Sequence, residues 1–314
     1  MMSPFTVRPA RADDLMPAFR LMFQRHSVEE REARIANALY LLTCGELEQE
    51  GVLVAAGAKG LVGALVGVPL RGASGLVWPP QTLAGRRQRQ VEDALVQQAN
   101  YWLRQRGTKV VQALLAPDEG RLADPLLRNG FVRVTSLRYM GLAVGSRSAA
   151  AEPIVPVMPD LTFVSYDEGV ASRFEQTLLR SYENTLDCPE LNGVRHLHEI
   201  MEGHKAQGLH DPGHWWLAEE SGQPAGVLLM ADVPDLGGWD LSYLGVVPEA
   251  RGRGIGRALA RKAIAETRAA GVERLTLAVD GRNHPALHLY ASLGFEVTEE
   301  REVYLAFYAG EPKA

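Results

Sequence analysis

Glycines and arginines cluster where a predicted strand runs into a predicted helix, over residues 246–256 (Val-Val-Pro-Glu-Ala-Arg-Gly-Arg-Gly-Ile-Gly). Pro248 ends the strand, and Gly252, Gly254 and Gly256 permit backbone angles and close approaches that other residues resist. The amides at a helix N-terminus are free to donate hydrogen bonds, and the helix dipole favours negative charge there. The segment therefore predicts a site that holds a pyrophosphate through backbone amides, without a metal.

Two common phosphate-binding loops do not fit this segment. A P-loop closes with Gly-Lys-Ser/Thr, whereas Gly256 is followed by Arg257 and Ala258. A Rossmann fingerprint needs a third glycine where Leu259 stands. The pattern that fits is Arg/Gln-x-x-Gly-x-Gly/Ala, starting at Arg251, and in this respect the chain resembles the acetyl-coenzyme A loop of the GNAT N-acetyltransferases.

A second segment strengthens that resemblance. Asn283-His-Pro-Ala-Leu-His-Leu-Tyr290-Ala-Ser-Leu-Gly-Phe295 is similar to the family's Asn-x-x-Ala-x-x-Leu-Tyr-x-x-Leu-Gly-Phe segment. The resemblance implies that Tyr290 lies near the coenzyme sulfur as a general acid; alternatively, it only packs within its helix. Asn283 is expected to bind the coenzyme, to cap the helix that starts near Pro285, or to do both.

The same resemblance implies where the coenzyme lies. Strands at 239–247 and 272–279 are expected to splay apart, with acetyl-coenzyme A in the opening. The backbone of Leu244, Gly245 and Val246 would pair with the pantetheine arm. The pyrophosphate would contact Arg253, Gly254, Ile255, Gly256, Arg257 and Ala258, with Arg251 and Arg253 as supporting charges at most.

The catalytic base is sought on the strand that precedes the glycine loop. Period-two alternation places Asp240, Ser242, Leu244 and Val246 on one side of that strand, and Asp240 is the carboxylate among them. Tandem GNAT enzymes of the mycothiol synthase type carry a glutamate at a similar position. Asp240 is therefore a candidate base, acting directly or through water; alternatively, it is exposed or caps the turn after residues 237–238.

The acceptor is expected to contact the segment between the first two strands of the active unit, residues 180–192, where GNAT enzymes vary. Tyr182, Glu183 and Asp187 could bind a polar or cationic amine, although a solvated loop has a similar composition. Cys188 has no visible histidine or aspartate pairing, so a packed thiol is the commoner interpretation.

Five histidines lie between His196 and His214. Residues 211–213 (Asp-Pro-Gly) break any helix between His210 and His214, so these two do not share a helical face. His196, His198 and His204 fall mainly on the polar side of an amphipathic pattern. No metal site is predicted.

The elements that must position these residues occur twice. Gly107 is predicted to end a helix, and Gly130 to lie in the turn between a later helix and the next strand. Gly271 and Gly294 take the same two positions 164 residues later. The predicted fold is α/β with a mixed sheet: two tandem GNAT-like domains, each a mostly antiparallel sheet with a β-α-β crossover that binds acyl-coenzyme A in the family.

The two halves differ in their chemical residues. At the offset of 164, Gly256 falls opposite Glu92 and Tyr290 opposite Leu126. Residues 1–145 are therefore interpreted as a degenerate scaffold domain, 146–159 as a proline-rich linker, and 160–314 as the catalytic domain.

Composition supports a globular enzyme. The 314 residues are 46% hydrophobic and 23% charged with a net charge of -5, so nucleic acid is not an expected partner. The N-terminus lacks the features of a signal peptide, and the apolar run 52–70 is predicted to form two strands around a turn, not a membrane helix. Two cysteines suggest no disulfide framework, and a cytoplasmic monomer or homodimer is expected.

The resemblance to GNAT N-acetyltransferases implies an acetyl-coenzyme A dependent N-acetyltransferase acting by direct attack of a small-molecule primary amine. A peptide or protein N-terminus is a variant acceptor. A non-catalytic sensor of acyl-coenzyme A is the alternative from a different class, although a sensor needs only the loop.

Overall fold

The computed structural model describes residues 5–145, 158, 160–234 and 237–308. The chain divides into two compact units, one containing Met1–Val134 and Glu302–Ala314 and the other Thr135–Arg301. Apart from Met158, the predicted linker lies outside the described residues.

The described residues of the first half form six strands and four helices. Its elements are β1 (Phe5–Pro9), α1 (Ala12–Met22), α2 (Val28–Cys44), β2 (Val52–Gly57), β3 (Gly60–Leu70), β4 (Ser74–Thr82), α3 (Gln88–Gln105), β5 (Val110–Leu115), α4 (Asp124–Arg128) and β6 (Val132–Ala143).

The second half repeats this order. Its elements are β7 (Leu161–Ser165), α5 (Ala171–Ser181), α6 (Leu197–Lys205), β8 (Trp215–Glu220), β9 (Gln223–Val233), β10 (Gly238–Val246), α7 (Ile255–Ala269), β11 (Arg274–Asp280), α8 (His284–Ser292) and β12 (Glu296–Phe307).

The predicted offset of 164 is confirmed by the element boundaries. Strands β10 and β12 begin and end 164 positions after β4 and β6. The pairing also repeats: β4 and β5 are parallel, with Gly75 opposite Val111, and β10 and β11 are parallel, with Trp239 opposite Leu275. Both halves therefore contain the predicted mostly antiparallel sheet with one β-α-β crossover.

The final strand of each half pairs with the sheet of the other half. Leu137–Ala143 of β6 pairs with β11, and Glu302–Phe307 of β12 pairs with β5. The two pairings use the same register, because Arg138 faces Val279 and Glu302 faces Leu115. The compact units consequently differ from the predicted ranges 1–145 and 160–314 at these two strands.

Helices pack on both faces of the second unit's sheet. Leu259, Ala263 and Tyr290 from α7 and α8 join one core with Leu228 of β9, while Phe174 of α5 joins a second core on the opposite face. The side of α7 that carries Leu259 and Ala263 is thus its buried side.

The apolar run 52–70 forms β2 and β3, as predicted. No helix within the described ranges is both long enough and apolar enough to cross a membrane.

Candidate active site

The glycine loop leaves a helix start without a side-chain cap. Gly252 and Gly254 have φ of 74° and 91°, values that favour glycine, and Gly254 is the N-cap of α7. The amide of Ala258 donates to the Gly254 carbonyl at 3.1 Å, so the amides of residues 255–257 lie ahead of the first intrahelical bond. Free amides at this helix start are what the predicted anion site requires, and anion binding itself stays a prediction.

Gly256 has a different role from the two glycines before it. A Cβ at this position would meet Leu289 at 3.7 Å and Val246 at 3.8 Å, which are ordinary contacts. The loop conformation therefore depends on Gly252 and Gly254, whereas Gly256 lines the cavity without a side chain.

The glycine loop opens onto a cavity of about 620 Å³ between β10 and β11. Hydrogen-bonded pairing of these strands involves only Trp239 with Leu275 and Asp240 with Thr276, among described residues, so the strands diverge beyond this point. The expected splay is therefore present. Predicted site residues that line the cavity are Asp187, Leu244, Gly245, Val246, Arg251, Gly254, Gly256, Arg257, Asn283 and Tyr290.

Six predicted residues lie outside this lining: Tyr182, Glu183, Asp240, Arg253, Ile255 and Ala258. Arg253 pairs with Glu220 at 2.8 Å, and the buried Ile255 side chain packs in the core. The structure thus brings most of the predicted site residues to the cavity, but the charged side chains of Glu183, Asp240 and Arg253 are not part of its lining.

Arg251 holds main-chain carbonyls together. Its guanidinium donates to the carbonyl oxygens of Val246 at 3.1 Å, Ser181 at 3.0 Å, Glu183 at 2.7 Å and Asn184 at 3.0 Å. The fork of donors in arginine suits several acceptors at once. Arg251 therefore joins the end of α5 to the end of β10, a role that the sequence interpretation as a supporting charge missed.

A β-bulge in β10 makes the predicted alternation wrong. Leu241 pairs with Met230 and Tyr243 with Leu229, which leaves Ser242 as an extra residue. Leu244 pairs with Leu228, whereas Asp240 pairs with Ala231.

Partners three positions apart face opposite sides of a strand, so Asp240 and Leu244 are on opposite faces. The bulge shifts the alternation by one residue, and a sequence pattern cannot show such an insertion. Asp240 and Val246 therefore do not share a side of the sheet, as the strand pattern had predicted.

Asp240 is largely buried beside the paired start of β10 and β11. Its carboxylate accepts hydrogen bonds from Thr276 Oγ1 at 2.9 Å and Ser242 Oγ at 3.3 Å. Burial raises the pKa of Asp240, although these two hydrogen bonds oppose the shift. Because Ser242 lines the cavity, it connects Asp240 to that space.

Tyr290 presents its side chain to the cavity from α8. It is 7% exposed and packs edge-on against Phe295 at 5.6 Å between ring centroids. Burial, with a further effect of the Asp187 charge, raises the pKa of Tyr290, so its hydroxyl is protonated at neutral pH. This is the state that a proton donor requires.

Asn283 caps the helix that carries Tyr290. Its Oδ1 accepts a hydrogen bond from the Ala286 amide at 3.3 Å. This hydrogen bond confirms the capping role. Asn283 also lines the cavity, and a contact with the coenzyme stays a prediction.

The segment after α5 brings one carboxylate into the cavity. Asp187 is largely buried, and its Oδ1 accepts a hydrogen bond from the Asp280 amide at 3.0 Å. Burial and the neighbouring Asp280 charge raise the pKa of Asp187, although the amide bond and Arg282 oppose the shift. Glu183, four residues earlier, is exposed.

Asp280 fixes the end of this segment, and sequence reasoning missed it. Its Oδ2 accepts a hydrogen bond from the Cys188 amide at 3.0 Å, and Arg282 bridges Asp280 and Glu190. Burial opposes ionisation of Asp280, but hydrogen bonds from Arg282, Thr135 and the Cys188 amide lower its pKa to about 2. A polar residue at the end of an apolar strand was the available signal.

Cys188 is an unreactive thiol in this setting. Burial and the adjacent Asp187 and Asp280 carboxylates raise its pKa, which suppresses the thiolate that nucleophilic attack requires. The packed-thiol interpretation therefore fits better than an acyl carrier.

Tyr182 belongs to an aromatic cluster beneath the cavity. Its hydroxyl and His204 Nε2 are 3.1 Å apart, and its ring lies 5.1 Å from that of Tyr243. The Tyr243 hydroxyl in turn lies 2.8 Å from Ser181 Oγ. Burial lowers the pKa of His204 to about 4, so the histidine of this cluster is neutral at physiological pH.

The rings of His196 and His198 stack at 6.0 Å between centroids, but no three histidines in the described part of the chain gather as potential metal ligands. His210 and His214 lie against the rings of Trp215 and Trp239, at 4.6 and 4.2 Å between centroids. Within the described ranges, the one group of three potential ligand side chains is Asp187, Cys188 and Asp280, where Arg282 balances charge.

The first unit carries charged side chains at the equivalent of the glycine loop. Glu92, which corresponds to Gly256, accepts hydrogen bonds from Gln88 and Arg128, both at 2.9 Å. Arg128 also binds Asp93 at 2.8 Å. A carboxylate thus occupies the position where the second unit presents a bare helix start.

Comparison with known proteins agrees with this geometry. Residues 178–295 match the family model described as Acetyltransferase (GNAT) family. The chain is 43% identical over 86 residues to a mycothiol acetyltransferase from Beutenbergia cavernae, covering 27% of this chain and 29% of that protein. It is 39% identical over 102 residues to one from Thermobispora bispora, covering 31% and 35%. The chain therefore matches about a third of the length of these relatives.

Solved structures show the same fold over the whole chain. A GCN5-related N-acetyltransferase from Sphaerobacter thermophilus has a TM-score of 0.62 at 17% identity, covering 100% of this chain and 99% of that chain. Another, from Kribbella flavida, has a TM-score of 0.51 at 14% identity, covering 88% and 96%. The loop, the splayed strands and these matches agree: residues 178–295 are similar to the acetyltransferase (GNAT) family, and the chain shares the fold of these solved structures.

Proposed function

We propose that the second unit transfers an acetyl group from acetyl-coenzyme A to a primary amine of a small molecule. One observation carries the proposal: the uncapped start of α7 and Tyr290 border the same cavity in the splay of β10 and β11. A pyrophosphate on the helix amides would leave the extended arm of the coenzyme directed along β10. The acetyltransferase names of the relatives support the same class of reaction.

Residues of this chain would have separate tasks. The backbone of Leu244 to Val246 offers hydrogen bonds to the pantetheine arm. Tyr290 would protonate the departing thiolate, since its hydroxyl stays protonated at neutral pH. Asp240 reaches the cavity only by way of Ser242, so a role as base requires the serine hydroxyl or a water between carboxylate and amine.

The first unit is proposed to be a scaffold. The Glu92 carboxylate would repel a pyrophosphate at the equivalent of the glycine loop, and Arg128 and Gln88 already hold it in place. We accordingly expect one coenzyme site in each chain.

Acceptor-dependent coenzyme release tests the proposal. Purified protein is assayed with acetyl-coenzyme A and a panel of small amines and peptides, with Tyr290→Phe and Asp240→Asn beside the wild type. Turnover that falls in Tyr290→Phe while acetyl-coenzyme A binding persists would support the proposal.

Other outcomes of that assay point elsewhere. Tight binding without turnover on any acceptor would favour a sensor of acyl-coenzyme A. Turnover on peptides alone would move the acceptor class to protein N-termini. Failure to bind acetyl-coenzyme A would refute the interpretation of the glycine loop.

A further inference from the structure

Asp187 is the one carboxylate among the described residues that line the cavity. Two arginines share the lining, but both are engaged: Arg251 with four carbonyls and Arg257 with Ser292 Oγ at 2.9 Å. The lining therefore carries one carboxylate, while the guanidinium groups of its two arginines already donate to neutral oxygens of the protein.

The Asp187 carboxylate is held with one oxygen available. Its Oδ1 accepts the Asp280 amide, whereas Oδ2 takes no hydrogen bond from any residue in the described ranges. The next residue is fixed as well, because the Cys188 amide donates to Asp280 Oδ2. These contacts attach the loop at the end of β11, on the border of the splay. Asp187 is thus positioned by contacts that leave half of its hydrogen-bonding capacity to a ligand.

We propose that Asp187 binds the ammonium group of the acceptor and takes its proton, which makes the acceptors cationic primary amines. This inference rests on the proposed acetyl transfer. It differs from the expectation that Asp240 is the base, because Asp240 is on the opposite face of β10 from Leu244 and outside the cavity lining.

The surroundings of Asp187 suit a proton acceptor. Burial raises its pKa, and the ionised Asp280 adds to the shift, while Arg282 opposes it. The Cys188 thiol and the Tyr290 hydroxyl, which also face Asp187, stay neutral at physiological pH because burial raises their pKa values. A carboxylate with a raised pKa is a stronger base than an exposed one.

The proton balance closes with these groups. The ammonium gives one proton to Asp187, and the amine nitrogen then attacks the thioester carbonyl carbon. As the carbon–sulfur bond breaks, Tyr290 gives its proton to the thiolate and recovers one from the nitrogen of the tetrahedral intermediate. The products are the amide, coenzyme A with a free thiol, and protonated Asp187, which releases its proton to solvent.

The test compares Asp187→Asn and Asp187→Glu with the wild type. Glu168→Gln, which removes an exposed carboxylate from the same unit, controls for lost negative charge. Each protein is assayed with ethanolamine, glucosamine, spermidine and a glycine-initiated peptide across a range of pH, and acetyl-coenzyme A affinity is measured by calorimetry.

General-base catalysis contributes about 100-fold or more, so kcat/KM for Asp187→Asn should fall by at least about 100-fold at neutral pH. The deficit should shrink as the pH approaches the pKa of the amine, because solution then supplies the deprotonated acceptor. Asp187→Glu should recover part of the activity, and both variants should bind acetyl-coenzyme A as the wild type does.

A purely structural role would not produce this pH-dependent rescue. Wild-type turnover together with an Asp187→Asn deficit under about threefold, or one that is constant with pH, would overturn the inference. Failure of the proposed function is distinguishable, because then the wild type itself would show no acceptor-dependent turnover.

Discussion

Replacing Arg251 with methionine tests whether its guanidinium holds the cavity wall together or only supplies charge. Methionine keeps much of the apolar stem but removes all four hydrogen bonds to carbonyls. The bonds to Val246 and Ser181 are partly buried, whereas those to Glu183 and Asn184 are exposed. Water can replace the exposed pair, so the partly buried pair determines the cost.

Each hydrogen bond from a charged donor contributes about 1.5–3 kcal/mol. Arg251→Met should therefore lower the free energy of unfolding of the second unit by roughly 3–5 kcal/mol. For a unit of this size the midpoint of thermal unfolding should fall by roughly 10 °C. Arg251→Lys keeps the charge, but one ammonium cannot serve acceptors spread around a fork, so most of the loss should persist.

Urea unfolding without coenzyme, followed by circular dichroism, measures this loss. Hydrogen exchange with mass spectrometry should show faster exchange where α5 ends, at the amides of Tyr182, Glu183 and Thr185. The free energy of unfolding of Arg251→Met could instead lie within about 0.5 kcal/mol of the wild type, with weaker binding of acetyl-coenzyme A. That result would refute the interpretation that Arg251 holds the cavity wall together, and would show that its guanidinium acts as a charge that attracts the pyrophosphate.

The remaining predictions concern the loop, the acid, the thiol and the stoichiometry. Gly254→Ala should weaken acetyl-coenzyme A binding about tenfold by calorimetry, because its φ of 91° costs a residue with a Cβ about 1–2 kcal/mol, whereas Gly256→Ala should bind within about threefold of the wild type. Tyr290→Phe should lower kcat about 100-fold with unchanged coenzyme affinity, and an unchanged kcat would exclude Tyr290 as the acid. At pH 8, about the pKa of an ordinary thiol, exposed Cys44 should react with iodoacetamide much faster than Cys188, whose pKa is raised by burial; peptide mass spectrometry that finds equal rates would contradict this. Acetyl-coenzyme A titration should saturate at one equivalent per chain, and a second equivalent would show that the first unit also binds it.

The sequence predicted the local elements and the glycine-rich start of α7, whereas coenzyme binding there stays a prediction. Helix and strand patterns depend on neighbouring residues, so the offset of 164 and the glycine loop could be found without coordinates. The side of β10 that carries Asp240 could not, because the extra residue at Ser242 is visible only in the pairing with β9.

Contacts between distant segments were also beyond the sequence. Asp187 and Asp280 are joined by a backbone amide, and Arg251 binds carbonyls near residue 182; neither relation has a sequence signature. The sequence also did not show that β6 pairs with β11 and β12 with β5. The residue pattern of each final strand is compatible with pairing to either half's sheet.

Because β12 pairs with β5, the first unit cannot complete its sheet until the end of the chain has been synthesised. Residues 110–115 leave the ribosome early, but the strand that covers their edge is made only when residues 302–307 appear. Until then the first unit exposes an unpaired strand, the kind of surface on which partly folded chains aggregate. A premature stop just before residue 302 would preserve every residue that lines the cavity beside the glycine loop and still leave the first unit without its last strand.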